Sequence, residues 1–209
     1  MIGIIRGLNT ILMLASAFFL VGCAFGTRHP TLIYPPTEEL SGLSVVYASV
    51  SLPPKGVQIL LKPFIDSRSN TKVVGTVRNG FGMKTADVIP KNNVSDWVTR
   101  AISTELQNNG YTVINKINAR NLTNSNAVVS VEILNVYCDM FISYMGQVSL
   151  VTRVNKNGKE IINKHYLGEG SSGLSVAATE ESYAQSLALA LSSAINKFVS
   201  DLDNHFTVE

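Results

Sequence analysis

Three histidines, His29, His165 and His205, are the side chains best suited to metal ligation or to proton transfer near neutral pH. Their separation argues against both uses. No HxxxH or HExxH spacing sets two of them on one helix face, and no cysteine stands beside them, so each is expected to be a solvated surface residue and no metal site is predicted. No serine lies in Gly-x-Ser-x-Gly, and a hydroxyl without a positioned base is a poor nucleophile. Asp201 with Asp203 and Glu180 with Glu181 are assigned to the two ends of a helix rather than to acid–base work. Gly80-Phe81-Gly82 lacks the further glycine and the Lys-Ser/Thr pair that a phosphate cradle needs to turn its backbone amides toward a ligand. No catalytic residue and no cofactor is therefore expected, and the chain is predicted not to be an enzyme. Asp66 and Arg68 are the one charged pair with a geometric argument: alternate residues leaving a strand point the same way and can pair. Together with Phe81, in the glycine-punctuated stretch behind them, they are the candidate partner-binding residues.

The most specific chemistry is at Cys23. Arg6 is the only charge in the first 22 residues, and the apolar run from Ile11 to Val21 is too short to span a bilayer, which takes about 20 helical residues. The run ends in Leu20-Val21-Gly22-Cys23, which resembles the lipobox of bacterial lipoproteins. That resemblance implies a signal peptide over 1–22, cleavage before Cys23, and acyl chains such as palmitate on the cysteine. Each buried methylene adds about 0.8 kcal/mol of membrane affinity, so more than one chain anchors stably. Ala24 stands where an aspartate would favour inner-membrane retention, which implies the periplasmic face of the outer membrane. With Cys23 used for lipid, Cys138 has no partner for a disulfide and is expected to be a small buried hydrophobe.

The elements around these residues suit one domain. The 209 residues are 45% hydrophobic and 15% charged with a net charge of +2, and no Lys/Arg block points to nucleic acid. Residues 23–56 contain Pro30, Pro35, Pro36, Pro53 and Pro54 and are expected to form an extended, lipidated tether, part of which (Leu43 to Leu52) could pack as an edge strand. Residues 57–209 form the predicted periplasmic α+β domain. Val57 to Ile65 is expected as the first core strand, with Pro63 marking an edge or bulge. Residues 73–90 suggest a hairpin or irregular loop. Val94, Trp97, Val98, Ala101, Ile102 and Leu106 fall at helical spacing between Asn93 as a cap and Gly110 as a stop.

A short strand, Tyr111 to Ile114, and an asparagine-rich loop, 115–126, come next. Three strands are then expected over Ala127 to Tyr137, Gln147 to Asn155 and Glu160 to Leu167, the last two joined by the Asn157-Gly158 turn. Ser171-Ser172-Gly173 is expected as a flexible connection. Leu187, Leu191, Ile195, Phe198 and Leu202 mark a second helix, with Ala184, Ala188 and Ala194 allowing close approach. The predicted fold class is α+β: an antiparallel sheet of about four to five strands with two amphipathic helices packed on one face.

Pro63-Phe64-Ile65-Asp66-Ser67-Arg68, then Val74-Gly75-Thr76, Asn79-Gly80-Phe81-Gly82 and the helix ending Leu106-Gln107-Asn108-Asn109-Gly110-Tyr111 resemble the YajG family of uncharacterised lipoproteins. The resemblance covers most of the mature chain and implies an α+β periplasmic domain without transferable catalytic residues. The expected function is that of a non-catalytic accessory or adaptor in an envelope assembly or transport system, using an exposed strand edge or the 75–90 segment to bind an envelope protein. The alternative is a small-ligand or glycan-binding module with Tyr137, Phe141 and Tyr144 as stacking groups. Oligomeric state has no signature in either helix.

Overall fold

The computed structural model describes residues 26–34, 52–114, 127–174 and 178–206. The strands are β1 (Gln58–Leu61), β2 (Ile65–Asp66), β3 (Gly75–Arg78), β4 (Lys84–Val88), β5 (Thr112–Ile114), β6 (Ala127–Met140), β7 (Ser143–Lys156) and β8 (Lys159–Leu174). The helices are α1 (Val94–Asn108), between β4 and β5, and α2 (Glu180–Phe206), after β8.

All eight strands join one mixed sheet, which corrects the expected antiparallel sheet of four to five strands. β6 is its axis. On one side β6, β7 and β8 form an antiparallel meander. On the other side β1, β2 and β3 line up one after another along the same edge of β6, all parallel to it: Ile59 lies beside Ala127, Ile65 beside Glu132 and Gly75 beside Cys138. β5 extends β1 in parallel and β4 extends β3 antiparallel. Parallel pairing needs crossover connections, and local alternation along a strand carries no mark of its neighbour's direction, so the sequence pattern could not separate the two cases.

The break between β1 and β2 has a local cause. Lys62 still donates its N–H to the Val129 carbonyl at 2.9 Å, but Pro63 has no N–H to give, and pairing resumes only at Ile65. One expected strand thus becomes two short ones. Within the 73–90 segment β3 and β4 form a hairpin whose register shifts between Val77 and Arg78. β7 and β8 run longer than expected at both ends and β6 at its C-terminal end, and Ser171-Ser172-Gly173, expected as a flexible connection, lies inside β8. The Asn157-Gly158 turn has φ of 52° and 80°, the positive pair that a type I′ hairpin requires. The asparagine-rich 115–126 loop and the Leu43 to Leu52 stretch lie outside the described residues, Leu52 alone excepted.

Asn93 caps α1 by accepting the Asp96 N–H at 3.0 Å. Trp97, Val98, Ala101, Ile102 and Leu106 on its inner stripe are fully buried, and Trp97 belongs to the core. α2 lies along β7 and β8 with Leu187, Leu191, Ile195, Phe198 and Leu202 buried against Val148, Leu150, Val154, Ile162 and Tyr166. The same alternation turns Ser130, Glu132, Gln147, Arg153 and His165 to the uncovered face, so the sheet is dry on one side and wet on the other.

Residues 26–34 run along the domain. Arg28 forms a parallel bridge with Val88, donating its N–H to the Asp87 carbonyl at 3.1 Å and accepting from Ile89 at 2.8 Å. Asn92 brackets Leu32, accepting its N–H at 2.8 Å and donating to its carbonyl at 2.9 Å, and Leu32 is buried in the core.

Candidate functional site

β8 is an edge strand. Its sixteen residues pair with β7 on one side, and among the described residues no strand pairs with the other. Such an edge presents unpaired backbone donors and acceptors to any extended chain that can reach it. Beside the edge, the C-terminal half of α2 forms the second wall of a groove of about 590 Å³, lined by Lys164, His165, Tyr166, Leu167, Asn196, Lys197, Ser200 and Asp201.

The groove walls are built by the same contacts that seat the helix. Asp201 accepts from the Tyr166 hydroxyl at 2.9 Å and from Lys164 Nζ at 2.6 Å. The Lys164 hydrogen bond, followed by that of Tyr166, outweighs the effect of burial and holds the Asp201 carboxyl below its ordinary range. Two residues on, Asp203 accepts from the Tyr111 hydroxyl and from Lys55 at 2.6 Å, so neighbouring carboxylates fasten the helix end to both sides of the sheet. Asp201 and Asp203 are therefore fastening points rather than free surface charges. Lys197 donates to the Leu167 carbonyl at 2.7 Å, which shows that this carbonyl points away from β7 into the groove. Among the described residues the group capping it is a long, flexible ammonium, which can swing aside for a backbone N–H.

The sequence candidates fall elsewhere. Asp66 and Arg68 do pair, with Nε and Nη2 of the guanidinium each 2.9 Å from a carboxylate oxygen, but Arg68 is buried, and it also donates to the carbonyls of Thr71 at 2.8 Å and Val73 at 3.2 Å. Burial pushes the Asp66 carboxyl up, while the hydrogen bonds and charge of Arg68 together hold it below its ordinary value. The pair folds the turn between β2 and β3, and Arg68 lines a polar cleft of about 240 Å³ with Thr76, Lys84 and Tyr137. Ser69 and Lys72, which stand at Ser-x-x-Lys spacing, are both exposed in that turn, where no helix sets them face to face. Phe81 is on the β3–β4 turn, 88% exposed, at the far end of the sheet from the β7–β8 turn.

The aromatic trio does not make a stacking platform. Tyr144 is buried edge-on against Tyr183, Tyr137 hydrogen-bonds Thr76 on the open face, and Phe141 is half exposed on the β6–β7 turn. His165 lies on the open face within hydrogen-bond reach of Ser149, and among the described residues no group of three His, Cys, Asp or Glu could hold a metal. The groove itself was illegible in sequence: its residues come from β8 and α2, 29 to 37 positions apart, and only the docking of helix on strand makes them neighbours.

No helix among the described residues is long and apolar enough to cross a membrane. The fold is similar to a crystal structure of a Xanthomonas campestris protein, with a TM-score of 0.54 at 10% identity over 86% of this chain and 97% of that one. It is also similar to a Chlamydia trachomatis hypothetical protein, with a TM-score of 0.51 at 13% identity over 73% of this chain and 99% of that one. At these identities the likeness shows the fold alone. No curated protein matches the chain. Residues 58–203, from β1 into the last turns of α2, match the family described as uncharacterized lipoprotein, a match that does not extend to the YajG name. The match covers more than half of the sequence, and the chain belongs to that lipoprotein family.

Proposed function

We propose that the chain is acylated on Cys23, faces the periplasm from the outer membrane, and acts as a non-catalytic accessory that binds an extended segment of an envelope protein along β8. Membership of a lipoprotein family implies a lipid anchor, and Cys23 closes the lipobox-like run that would carry it.

The observation that carries the adaptor reading is the groove: an edge strand that no described strand pairs on its outer side, walled by a helix, with an outward backbone carbonyl held by Lys197. Strand addition in such a groove draws affinity from main-chain hydrogen bonds and specificity from side-chain pockets, here lined by Tyr166 and Leu167 with Lys164, Asn196, Lys197 and Asp201. A small-ligand site would instead be an enclosed, mainly apolar cavity with a few convergent polar groups, and this groove is open.

The test is site-specific photocrosslinking in intact cells. A photoreactive residue at Asn196, in the groove, is expected to capture a discrete protein, and one at Asn157, on the β7–β8 turn, is not. Leu167→Pro removes the N–H beside the outward carbonyl without touching the β7 side, so it should abolish the adduct in a folded protein. An adduct that survives Leu167→Pro, or none from Asn196, would reject the groove as the docking site.

A further inference from the structure

One end of the sheet is apolar where it should be wet. The β3–β4 turn carries Phe81 and Met83, 88% and 59% exposed, the β6–β7 turn carries Phe141 and Ile142, 47% and 64% exposed, and β8 ends on Leu174, 80% exposed. These side chains adjoin. Ser143, next to Ile142, is in register with Leu174, and a Cβ placed on Gly82 would lie 3.4 Å from the Phe141 ring. The turn at the other end of the same meander, Lys156-Asn157-Gly158-Lys159, is entirely polar. A patch of large apolar side chains gathered at one end, with a polar turn at the other, marks a surface that something covers.

The N-terminal segment indicates what does. Arg28 runs parallel to β4 at Val88, so the chain enters Arg28 from the direction of Lys84 and the β3–β4 turn. The Arg28 guanidinium also donates to the Ala178 carbonyl at 2.8 Å, four residues past Leu174. Both ties put Gly26 at the apolar end. Gly26 is three residue steps from Cys23, a reach of about 11 Å at full extension. β6, with fourteen residues, is about 45 Å long. The acyl chains on Cys23 therefore stay within reach of the apolar end and far short of the polar turn.

The geometry points to insertion of the Phe81, Phe141, Ile142 and Leu174 end into the interfacial layer of the same bilayer that holds the Cys23 lipid. This rests on the acylation of Cys23 proposed above. Aromatic and aliphatic side chains at a membrane interface add a second signal to acyl chains. The sheet then stands on end, and Leu167, seven residues up β8 from Leu174, presents the groove about 23 Å above the contact.

The test uses the acylated full-length protein in vesicles of phosphatidylethanolamine and phosphatidylglycerol. An environment-sensitive fluorophore is attached to Phe81→Cys or, separately, to Asn157→Cys, and nitroxide-bearing lipids serve as quenchers. The protein should float with the vesicles, and quenching at position 81 should exceed that at position 157 by about threefold or more. Flotation with equal, weak quenching at both positions overturns the orientation and leaves the anchor standing. Failure to float overturns both. A crosslink from position 81 to a protein in native membranes, without quenching in vesicles, also overturns it, because a polypeptide rather than lipid would cover the end.

Discussion

Gly168 of β8 lies so close beneath Ala190 of α2 that a Cβ on it would overlap the Ala190 carbonyl, with the Ala194 Cβ 3.0 Å away. Gly146 and Gly170 meet Ser186 in the same way, and the Ser186 hydroxyl accepts the Gly146 N–H at 3.0 Å and faces the Gly170 carbonyl at 2.8 Å. The helix rests on bare strand backbone. Gly168→Ala must push it off and should cost about 2–3 kcal/mol, by the usual scale of overpacking. Gly158→Ala, with φ of 80° and open space around it, should cost only about 1 kcal/mol. Urea denaturation of the two variants checks the order, and equal losses would mean that α2 is not seated on this backbone.

The Asp66–Arg68 pair predicts an acid response. The folded-state carboxyl lies below its ordinary 3.8, so its contribution is complete above about pH 4 and is lost as pH falls through the folded value. Asp66→Ala strands a guanidinium whose side chain is 4% exposed, and should cost about 2 kcal/mol at neutral pH, below the full range for buried pairs because Asp66 is itself 21% exposed. Stability measured from pH 6 to pH 2 should fall less steeply for Asp66→Asn than for the parent.

Tyrosines predict the alkaline limb. Tyr111, Tyr166 and Tyr183 all ionise well above their ordinary 10 in the folded protein, chiefly because they are buried, and for the first two because each donates to a carboxylate. Raised folded values leave their contribution intact below pH 10 and remove it as pH climbs beyond, since the unfolded chain releases those protons first. Absorbance titration should therefore show these three of the seven tyrosines ionising only as the protein unfolds. Tyr166→Phe should cost about 1 kcal/mol, the typical net value of one hydrogen bond, and should bring the Asp201 carboxyl closer to its ordinary range, which carbon-13 chemical shifts would record.

Cys138 predicts silence toward thiol reagents. It is fully buried on β6, and burial pushes its thiol up to about 12. Because the thiolate is the reactive form, modification should be slow in the folded protein and immediate in guanidinium. Rapid reaction under native conditions would show that β6 opens locally.

The two helices were legible because their apolar residues recur at helical spacing over many turns, and Asn93 and Gly110 bracket the first. The meander was legible from alternation and from the Asn157-Gly158 turn. The lipoprotein class was legible from Leu20 to Cys23, since a processing signal is read as a linear sequence. What alternation cannot encode is strand direction: β1, β2 and β3 have patterns that fit either sense, and only the crossover geometry around α1 makes them parallel to β6.

The candidate surfaces divide the same way. Asp66 and Arg68 were found because their pairing is local, two residues apart. Ser171-Ser172-Gly173 suggested a flexible connection in sequence, whereas the structure continues β8 through it, and the nearby Gly168 and Gly170 form with Gly146 the floor on which α2 sits. The β8 groove and the apolar end each join residues far apart in the chain. Neither could be read from spacing, because no periodic pattern records which edge of a sheet stays unpaired or which turns meet at one end. The sequence by itself determined the lipoprotein class, the helices and the hairpin turn, all set by local chemistry, while tertiary packing decided the sheet's order and, among the described residues, which edge and which end stay uncovered.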